Sequence, residues 1–253
     1  MTALYGLLIV AAIVALSMHY TWWLLPKPWK KGWPRVLMYH HIAPHKPAGG
    51  MNTPPERFEL HLKWLKSKGA KFCTLSELAD KMDRKEEGRF VALTFDDGFI
   101  DNYQFAYPLI RKCGAKMTVF LATNCSEIES IPPEAIREMQ QSGCVEFGAH
   151  TLSHVNLTTI DDVLAAQEIT DSCKAVARLS ETSCRCFAYP FGRFEEKHKR
   201  MVADAGMTLA VSVKKRIFPW SQIDPLAIPR ISTNGKMNRL QFHLALTRGK
   251  YRV

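Results

Sequence analysis

Two adjacent acids follow an apolar run near the middle of the chain. Residues 91–98 read VALTFDDG, so Asp96 and Asp97 come directly after a predicted buried strand and before a glycine. Two like charges side by side in a cleft of low dielectric cost free energy unless a cation or a shared proton relieves them. Strand neighbours ordinarily point to opposite faces, but Gly98 lets the backbone turn so that both carboxylates address one cleft. The pair therefore indicates chemistry at a strand end.

A pair of histidines follows a second apolar run. GAHTLSH places His150 and His154 four residues apart, directly after VEF. On a helical turn this spacing puts both imidazoles on one side, the usual way for two histidines to chelate one cation. Alone the spacing is a weak signal, but two histidines and one carboxylate with open positions form a catalytic zinc-type arrangement. One acid would then bind the cation, and the other would stay free to take a proton from activated water.

The elements that must position these residues alternate along the chain. From residue 36 onwards there are about eight short apolar runs, which read as strands. Most of them are separated by stretches whose apolar residues recur with the period of a helix. This order predicts parallel βα units in a barrel or a doubly wound sheet. Several runs end in functional-looking motifs: YHH, TFDDG, GAHTLSH, AYPFG and PRIS. The pattern favours the barrel, because there all the strand C-termini open on one face, where catalytic groups from different strands meet.

The first residues have a different character. Residues 3–25 contain no acid, lysine or arginine, and as a helix they would reach about 34 Å, enough for a hydrocarbon core of about 30 Å. We expect a transmembrane signal-anchor helix over 3–25, a basic juxtamembrane linker over 26–34 and one folded domain over 35–253. A cleavable signal peptide is the alternative, but it needs a basic n-region and a small-residue cleavage site, which this segment lacks.

The charge of the chain bears on its location and partners. Residues 26–35, PKPWKKGWPR, are basic and include no acid, which by the positive-inside tendency predicts a single-pass membrane protein with a cytoplasmic domain; a domain on the outer side of the membrane is the alternative. Seven cysteines without a CxxC favour a reducing compartment. A formal charge of +10 suits a domain tethered to an anionic leaflet. The sequence contains no basic stripe interleaved with aromatic residues, so it gives no indication of nucleic acid as a partner.

The motifs TFDDG, HTLSH and FAYPFG, in that order and spacing, resemble the first three motifs of the NodB-like polysaccharide deacetylases, carbohydrate esterase family four. The opening MYHHI resembles the sub-branch that includes bacterial poly-N-acetylglucosamine deacetylases. The resemblance covers roughly residues 35–235. It implies a distorted (β/α) barrel of about seven to eight strands, and metal-dependent removal of an N- or O-linked acyl group from a sugar.

The resemblance also implies roles for single residues. Asp96 would be the general base, and one divalent metal ion would be bound by three side chains: Asp97, His150 and His154. Zinc is expected first, with cobalt, nickel and manganese as alternatives. Asp96 would remove the proton of the attacking water.

The third motif, AYPFG, would supply the oxyanion donor and contacts to the sugar. The family match places the donor at the backbone N–H of Phe191, since Pro190 has no N–H. Tyr189, Pro190 and Phe191 are the expected substrate-binding residues, with the two aromatic rings stacking on a sugar.

The match departs from the family in two places. Where the third motif commonly carries an arginine that orients the base, this chain has Ala188, and Arg230 in IPRIS is the substitute candidate. The family's general-acid histidine is not convincingly present, because His243 lies in a predicted amphipathic terminal helix. His40, which ends the first strand, is the better candidate for an acid or a substrate contact.

Three classes of function compete. The leading one is metal-dependent deacetylation of an N-acetylated amino sugar in a cell-envelope glycan or its lipid-linked precursor. A cytoplasmic domain would act on a precursor, such as an N-acetylhexosamine linked to a polyprenyl phosphate or a nascent lipopolysaccharide; an outward-facing one would act on exopolysaccharide or peptidoglycan. The alternative is a catalytically silent sugar- or lipid-binding protein that retains the fold. A metal-dependent nuclease or phosphatase would need more carboxylates around two metals.

Overall fold

A curled parallel sheet forms the centre of the domain. The computed structural model describes residues 5–7, 9–14, 29–30 and 32–249. Within this part the sheet has eight strands: β1 Arg35–Tyr39, β2 Ala70–Cys73, β3 Arg89–Phe95, β4 Met117–Leu121, β5 Val145–Ala149, β6 Cys186–Ala188, β7 Leu209–Val211 and β8 Ile231–Ser232. Their order is β7-β6-β5-β4-β3-β1-β8, and β2 pairs with β3. All these pairings are parallel, as the alternation of apolar runs and helices predicts.

Helices lie between most of the strands. The α-helices are α1 Pro55–Ser67, α2 Leu75–Asp83, α3 Tyr107–Cys113, α4 Pro133–Gln141, α5 Asp162–Ser180, α6 Glu196–Asp204 and α7 Arg239–Arg248. A π-helix, Asn102–Ala106, leads into α3, and 3-10 turns lie at Leu157–Thr159, Pro190–Gly192 and Trp220–Gln222. Their sequences account for several starts: α1, α3 and α4 carry a proline in the first turn, and α2 begins with a capping box at Thr74.

One short segment connects the two edges of the curled sheet. Ile228 forms a parallel bridge with Val211 of β7, and three residues later Ile231 pairs with Leu37 of β1. Arg230 lies between these two contacts. The curled sheet with its helices is consistent with the predicted (β/α) barrel, and the connection explains why the edge strands do not stay open.

The strands divide the core between two faces. Alternate residues of β3, such as Val91 and Leu93, pack with the helices in one large apolar cluster. The other face, here called the inner face, carries Phe90 and Ala92 in a smaller cluster with the apolar side of α2. The same alternation continues to Asp96, so this face of β3 is apolar along most of the strand and polar at its carboxyl end. The apolar core therefore packs directly beneath the residues of the site, on the same face of the sheet.

The predicted membrane span lies largely outside the described residues. Residues 5–7 and 9–14 of the predicted 3–25 segment are helical and exposed. Among the residues that the structure describes, no helix is long and apolar enough to cross a bilayer. The span over 3–25 and the linker over 26–34 therefore stay predictions.

A proline- and glycine-rich loop over residues 43–53 is built around buried Asn52. The Asn52 side chain accepts a hydrogen bond from the Ala43 N–H at 2.9 Å and donates to the carbonyls of Ala43 at 3.0 Å and Lys46 at 2.8 Å. Gly235 packs against it so closely that an added Cβ would lie 2.1 Å from the Asn52 carbonyl oxygen. The Asn52 side chain thus provides hydrogen-bond partners for backbone groups of the loop that have none in regular secondary structure.

The Asn52→Ala variant should lose about 3 kcal/mol of unfolding free energy, because it leaves several buried backbone groups without partners. Denaturant unfolding at constant m-value measures this loss. The matched control is Asn238→Ala, which removes an exposed helix cap and should cost only about 1 kcal/mol. Equal losses in the two variants would contradict the role assigned to Asn52.

Candidate active site

The predicted site residues meet at the carboxyl ends of neighbouring strands. Asp96 and Asp97 follow β3, His150 follows β5, and His40 follows β1. Arg230 immediately precedes β8, beside β1. Parallel strands deliver their carboxyl ends to one edge of a sheet, which explains how residues so far apart in sequence come together.

Three potential metal ligands converge on one point. The Asp97 Oδ1 atom lies 3.4 Å from His150 Nε2 and 3.2 Å from His154 Nε2, and the three ligand atoms lie within 4.8 Å of one another. The His150 Nδ1–H donates to the Ala188 carbonyl at 2.7 Å, which leaves the Nε2 lone pair facing Asp97. The residues predicted as ligands from their motifs are therefore brought together.

These three residues fit a divalent cation. Asp97 Oδ1 is buried and has no hydrogen-bond partner among the described residues. Burial alone would raise the pKa of Asp97, but the close approach of both imidazoles holds that pKa well below its usual range. Burial alone would lower the pKa of His150, yet Asp97 and Asp96 raise it. The pocket therefore favours an added positive charge, and one carboxylate with two imidazoles is a donor set that suits zinc and similar ions.

Left-handed backbone conformations position this site. Asp97, Thr151, His154 and Phe191 have φ values of 76°, 62°, 57° and 58°, and they make up four of the six such non-glycine residues in the described part of the chain. Side chains rarely adopt this region, and such strain concentrates at functional sites. Gly98 is left-handed as well, with a φ of 76°, so the turn expected at this glycine is present and begins one residue earlier, at Asp97.

The histidine pair does not lie on a helical turn, contrary to the sequence-based expectation. The residues from 150 to 156 form an irregular loop. Glu168 of α5 holds this loop: its carboxylate accepts hydrogen bonds from the Leu152 N–H at 2.8 Å and the Ser153 N–H at 3.0 Å, and from the Ser153 hydroxyl at 2.7 Å. The two imidazoles converge because of these contacts and the left-handed residues. No local motif marks Glu168 in the sequence.

The second acid, Asp96, is paired with Arg230. The guanidinium donates to both carboxylate oxygens, at 2.5 and 2.7 Å, and Arg230 is fully buried. Thr94 Oγ1 and the Ser212 carbonyl accept further hydrogen bonds from it, both at 3.1 Å. Burial alone would raise the pKa of Asp96, but the charge and hydrogen bonds of Arg230 lower it below its ordinary value. Arg230 thus lies where the missing motif arginine would act, in contact with the carboxylate.

His40 lies on the other side of the same carboxylate. Its Nε2 atom is 3.9 Å from Asp96 Oδ2. Burial lowers the pKa of His40, although Asp96 and Asp97 oppose that shift. The Asn102 side chain donates to the His40 carbonyl at 2.7 Å, and the neighbouring Asp101 accepts from the Ile42 N–H at 2.9 Å. Asp101 and Asn102 therefore position the end of β1, a role that sequence reasoning missed.

The AYPFG turn presents one aromatic ring to the site. Phe191 is 58% exposed, and its ring centroid lies 4.7 Å from that of His154. Tyr189 is buried, donates its hydroxyl to the Leu226 carbonyl at 3.0 Å and stacks on Phe194. Pro190 is buried as well. The side chains of Tyr189 and Pro190 are thus buried in the protein, and Phe191 is the exposed aromatic residue of this turn. Substrate binding by the three residues stays a prediction.

A close contact fixes the position of that turn. Gly192 has a φ of 65°, and an added Cβ would lie 2.2 Å from Val213 Cγ2. The contact leaves no room for a side chain. The backbone of Phe191 is therefore held between the metal-ligating loop and the segment that follows β7.

Residues 83–210, just over half of the chain, match the family model described as Polysaccharide deacetylase. This chain belongs to the polysaccharide deacetylase family. It is 31% identical over 182 residues to YxkH of Bacillus subtilis, covering 71% of this chain and 64% of that protein. It is 29% identical over 190 residues to the poly-beta-1,6-N-acetyl-D-glucosamine N-deacetylase of Staphylococcus aureus, covering 69% of this chain and 65% of that protein. These matches thus span slightly less than two thirds of each relative.

The fold is also similar to solved deacetylase structures. The Streptococcus pyogenes deacetylase PplD, solved in complex with acetate, superposes with a TM-score of 0.78 at 25% identity. The superposition covers 87% of this chain and all of PplD. The family membership that the three motifs predict is therefore confirmed.

Loss of the Arg230 guanidinium should destabilise the protein. Arg230→Met leaves the Asp96 carboxylate buried without a counter-charge, which should cost about 3–5 kcal/mol of unfolding free energy. Adding Asp96→Asn removes the stranded charge, so the double variant should be destabilised by clearly less than the sum of the two single changes. Additive losses in denaturant unfolding would contradict the pairing.

Divalent metal should stabilise the chelator-stripped protein. Zinc at 100 times its Kd should raise the Tm by about 5–10 °C, since a ligand bound only by the native state adds about 2.7 kcal/mol. His154→Ala should abolish the rise, and His45→Ala, which changes an exposed loop histidine, should retain it. A rise that persists unchanged in His154→Ala would place the metal elsewhere.

Proposed function

We propose that this protein is a metal-dependent hydrolase that removes the acetyl group from an N-acetylated amino sugar. The observation that carries the proposal is the placement of Asp96, fixed by Arg230, directly beside the converging Asp97, His150 and His154 side chains. A site for a cation and a separately held carboxylate are the two parts that hydrolysis of an amide by activated water needs.

The metal would be held by Asp97, His150 and His154, and the Ala188 carbonyl would keep His150 in the required tautomer. A divalent cation bound there would polarise the acetyl carbonyl and acidify the attacking water. We expect zinc first, with cobalt, nickel and manganese as alternatives.

The side chains around the metal would handle the protons. Asp96 stays ionised because of Arg230, and it takes the proton of the attacking water. The bidentate contact also fixes the orientation of the carboxylate, so that Arg230 acts as a positioning residue. His40, whose Nε2 atom is 3.9 Å from Asp96 Oδ2, would give a proton to the departing amine nitrogen, and the proton that Asp96 took from water would restore the balance. The backbone N–H of Phe191 would stabilise the negative charge that develops on the acetyl oxygen.

The substrate class follows from the relatives and from the exposed parts of the site. Because one relative is named for poly-beta-1,6-N-acetyl-D-glucosamine, we propose a cell-envelope glycan or its lipid-linked precursor as substrate. Phe191 offers an exposed ring for a sugar face beside the metal ligands. For a single-pass inner-membrane protein with a cytoplasmic domain, the substrate is a polyprenyl-phosphate-linked N-acetylhexosamine; for a periplasmic domain, it is a polymer.

A catalytically silent sugar- or lipid-binding protein is the second candidate, and the site geometry argues against it. A binding module has no use for a strained metal-ligand cluster beside a fixed carboxylate. The Arg230 contact also removes the main sequence argument for it, because the missing motif arginine has a substitute in the structure.

The Asp96→Asn variant tests the proposal. It should lower kcat about 10²–10⁴-fold, the range for loss of a general base, while bound metal stays unchanged. The assay measures free amine released from lipid-linked N-acetylhexosamine and from polymeric N-acetylglucosamine, with metal quantified in parallel.

Two further variants separate the roles of the residues. Asp97→Asn should lose both metal and activity, whereas Asp162→Asn, an exposed acid at the start of α5, should keep both. No amine release from either substrate by the metal-loaded wild type would favour the silent binding protein, and full activity in Asp96→Asn would remove Asp96 as the base.

A further inference from the structure

A basic cleft lies between α1 and α7, and none of its lining residues belongs to the candidate active site. Its volume is about 300 Å³. Apolar and aromatic side chains, among them Trp64 and Phe242, form much of its wall. Three cationic side chains also line it, and none of the lining residues is acidic. Lys63 is already paired with Glu59 at 2.9 Å, so the charge offered to an anion comes mainly from Arg57 and Arg239. The cleft therefore suits an anion that has an apolar body.

Large apolar side chains are exposed at this cleft. Leu60, which lines it, and Leu240, next to Arg239 on α7, are each 56% exposed. A single exposed leucine is ordinary on a protein surface, but Leu60 lines the cleft together with Trp64 and two arginines, and a second exposed leucine follows one of these arginines on α7. Together they form an amphipathic surface. Such surfaces are typical of helices that lie at the interface of an anionic bilayer. An acidic protein partner would account for the cations but not for both leucines.

The first residue of β1 is hydrogen-bonded to the same helix, α7. The Arg35 Nε–H donates to the Leu246 carbonyl of α7 at 2.5 Å, and the Arg35 guanidinium lies 5.1 Å from the Trp29 ring centroid. Leu246 is seven residues beyond Arg239, about 10 Å along the helix axis. Arg35, the first residue of β1, and the cleft thus both contact α7.

We propose that the α1–α7 cleft binds the phosphate headgroup of an anionic membrane lipid and so seats the domain against the bilayer. Arg57 and Arg239 pair with the phosphate, since the guanidinium fork matches phosphate oxygens. Leu60 and Leu240 enter the boundary between headgroups and acyl chains. This binding site is separate from the proposed catalytic site, and its occupancy does not depend on deacetylation.

Photocrosslinking tests the proposal. The 253-residue chain, with a photoreactive amino acid in place of Leu240, is placed in nanodiscs of phosphatidylcholine with or without phosphatidylglycerol, and crosslinked lipid is identified by mass. Phosphatidylglycerol should crosslink strongly, and the Arg57→Gln/Arg239→Gln variant should reduce its yield about thirtyfold, the effect of removing two cations from an anionic surface. The charge-matched control is Lys174→Gln/Arg178→Gln on α5, which should keep the yield.

The possible results separate clearly. Equal crosslinking in discs with and without phosphatidylglycerol would overturn the proposal, and so would a yield that the arginine variant leaves unchanged or that both variants reduce equally. Arg57 and Arg239 are at least partly exposed, so the variant should fold, and zinc binding measured in parallel confirms that the site is intact. Because the readout needs no activity, failure here leaves the proposed deacetylation untouched.

Discussion

Two adjacent carboxylates that are both buried must be neutralised separately, and much of the site depends on this constraint. Asp96 and Asp97 are only 4% and 6% exposed. Their mutual repulsion in a low-dielectric cleft would shift one of them to its protonated form unless positive charge lies beside each. Arg230 supplies that charge to Asp96, and the two histidines with a cation would supply it to Asp97. The left-handed backbone at Asp97 keeps the two carboxylates apart and directs them to different partners.

The curled sheet makes this division possible. The segment from Ile228 to Ile231 connects β7 and β1, and it carries Arg230 to the inner face opposite Asp96. The metal-ligating loop has separate support from Glu168, and the end of β1 has support from Asn102. The base and the two histidine ligands are thus held by different parts of the fold, whereas the third ligand, Asp97, shares the turn after β3 with the base.

Residues within short motifs were predictable, and contacts across long separations mostly were not. The strand-terminal acids and the histidine pair each lie within a motif of a few residues directly after a predicted strand, so their convergence could be predicted from the sequence. Arg230 was predicted only as a substitute for a missing residue, since its contact with Asp96 spans 134 positions. Glu168, Asp101 and Asn102 had no such signal. The predicted helical turn at the histidines was wrong because Thr151 is left-handed, a feature that residue type does not reveal.

The aromatic residues of the third motif illustrate another limit. By residue type, Tyr189 and Phe191 are equally good candidates for stacking on a sugar, yet Tyr189 is buried and Phe191 is exposed. The turn itself is held by the close contact of Gly192 with Val213, which lies in the segment that follows β7. Burial, rather than residue type, separates the core tyrosine from the exposed phenylalanine.

An anomalous difference map at the zinc edge, from crystals of the zinc-loaded protein, tests the central claim most directly. The account predicts one peak at a ligand distance of about 2.0–2.2 Å from Asp97, His150 and His154, with Asp96 unligated and still paired with Arg230. A peak that lies away from these three side chains, or one that includes Asp96 among its ligands, would contradict it.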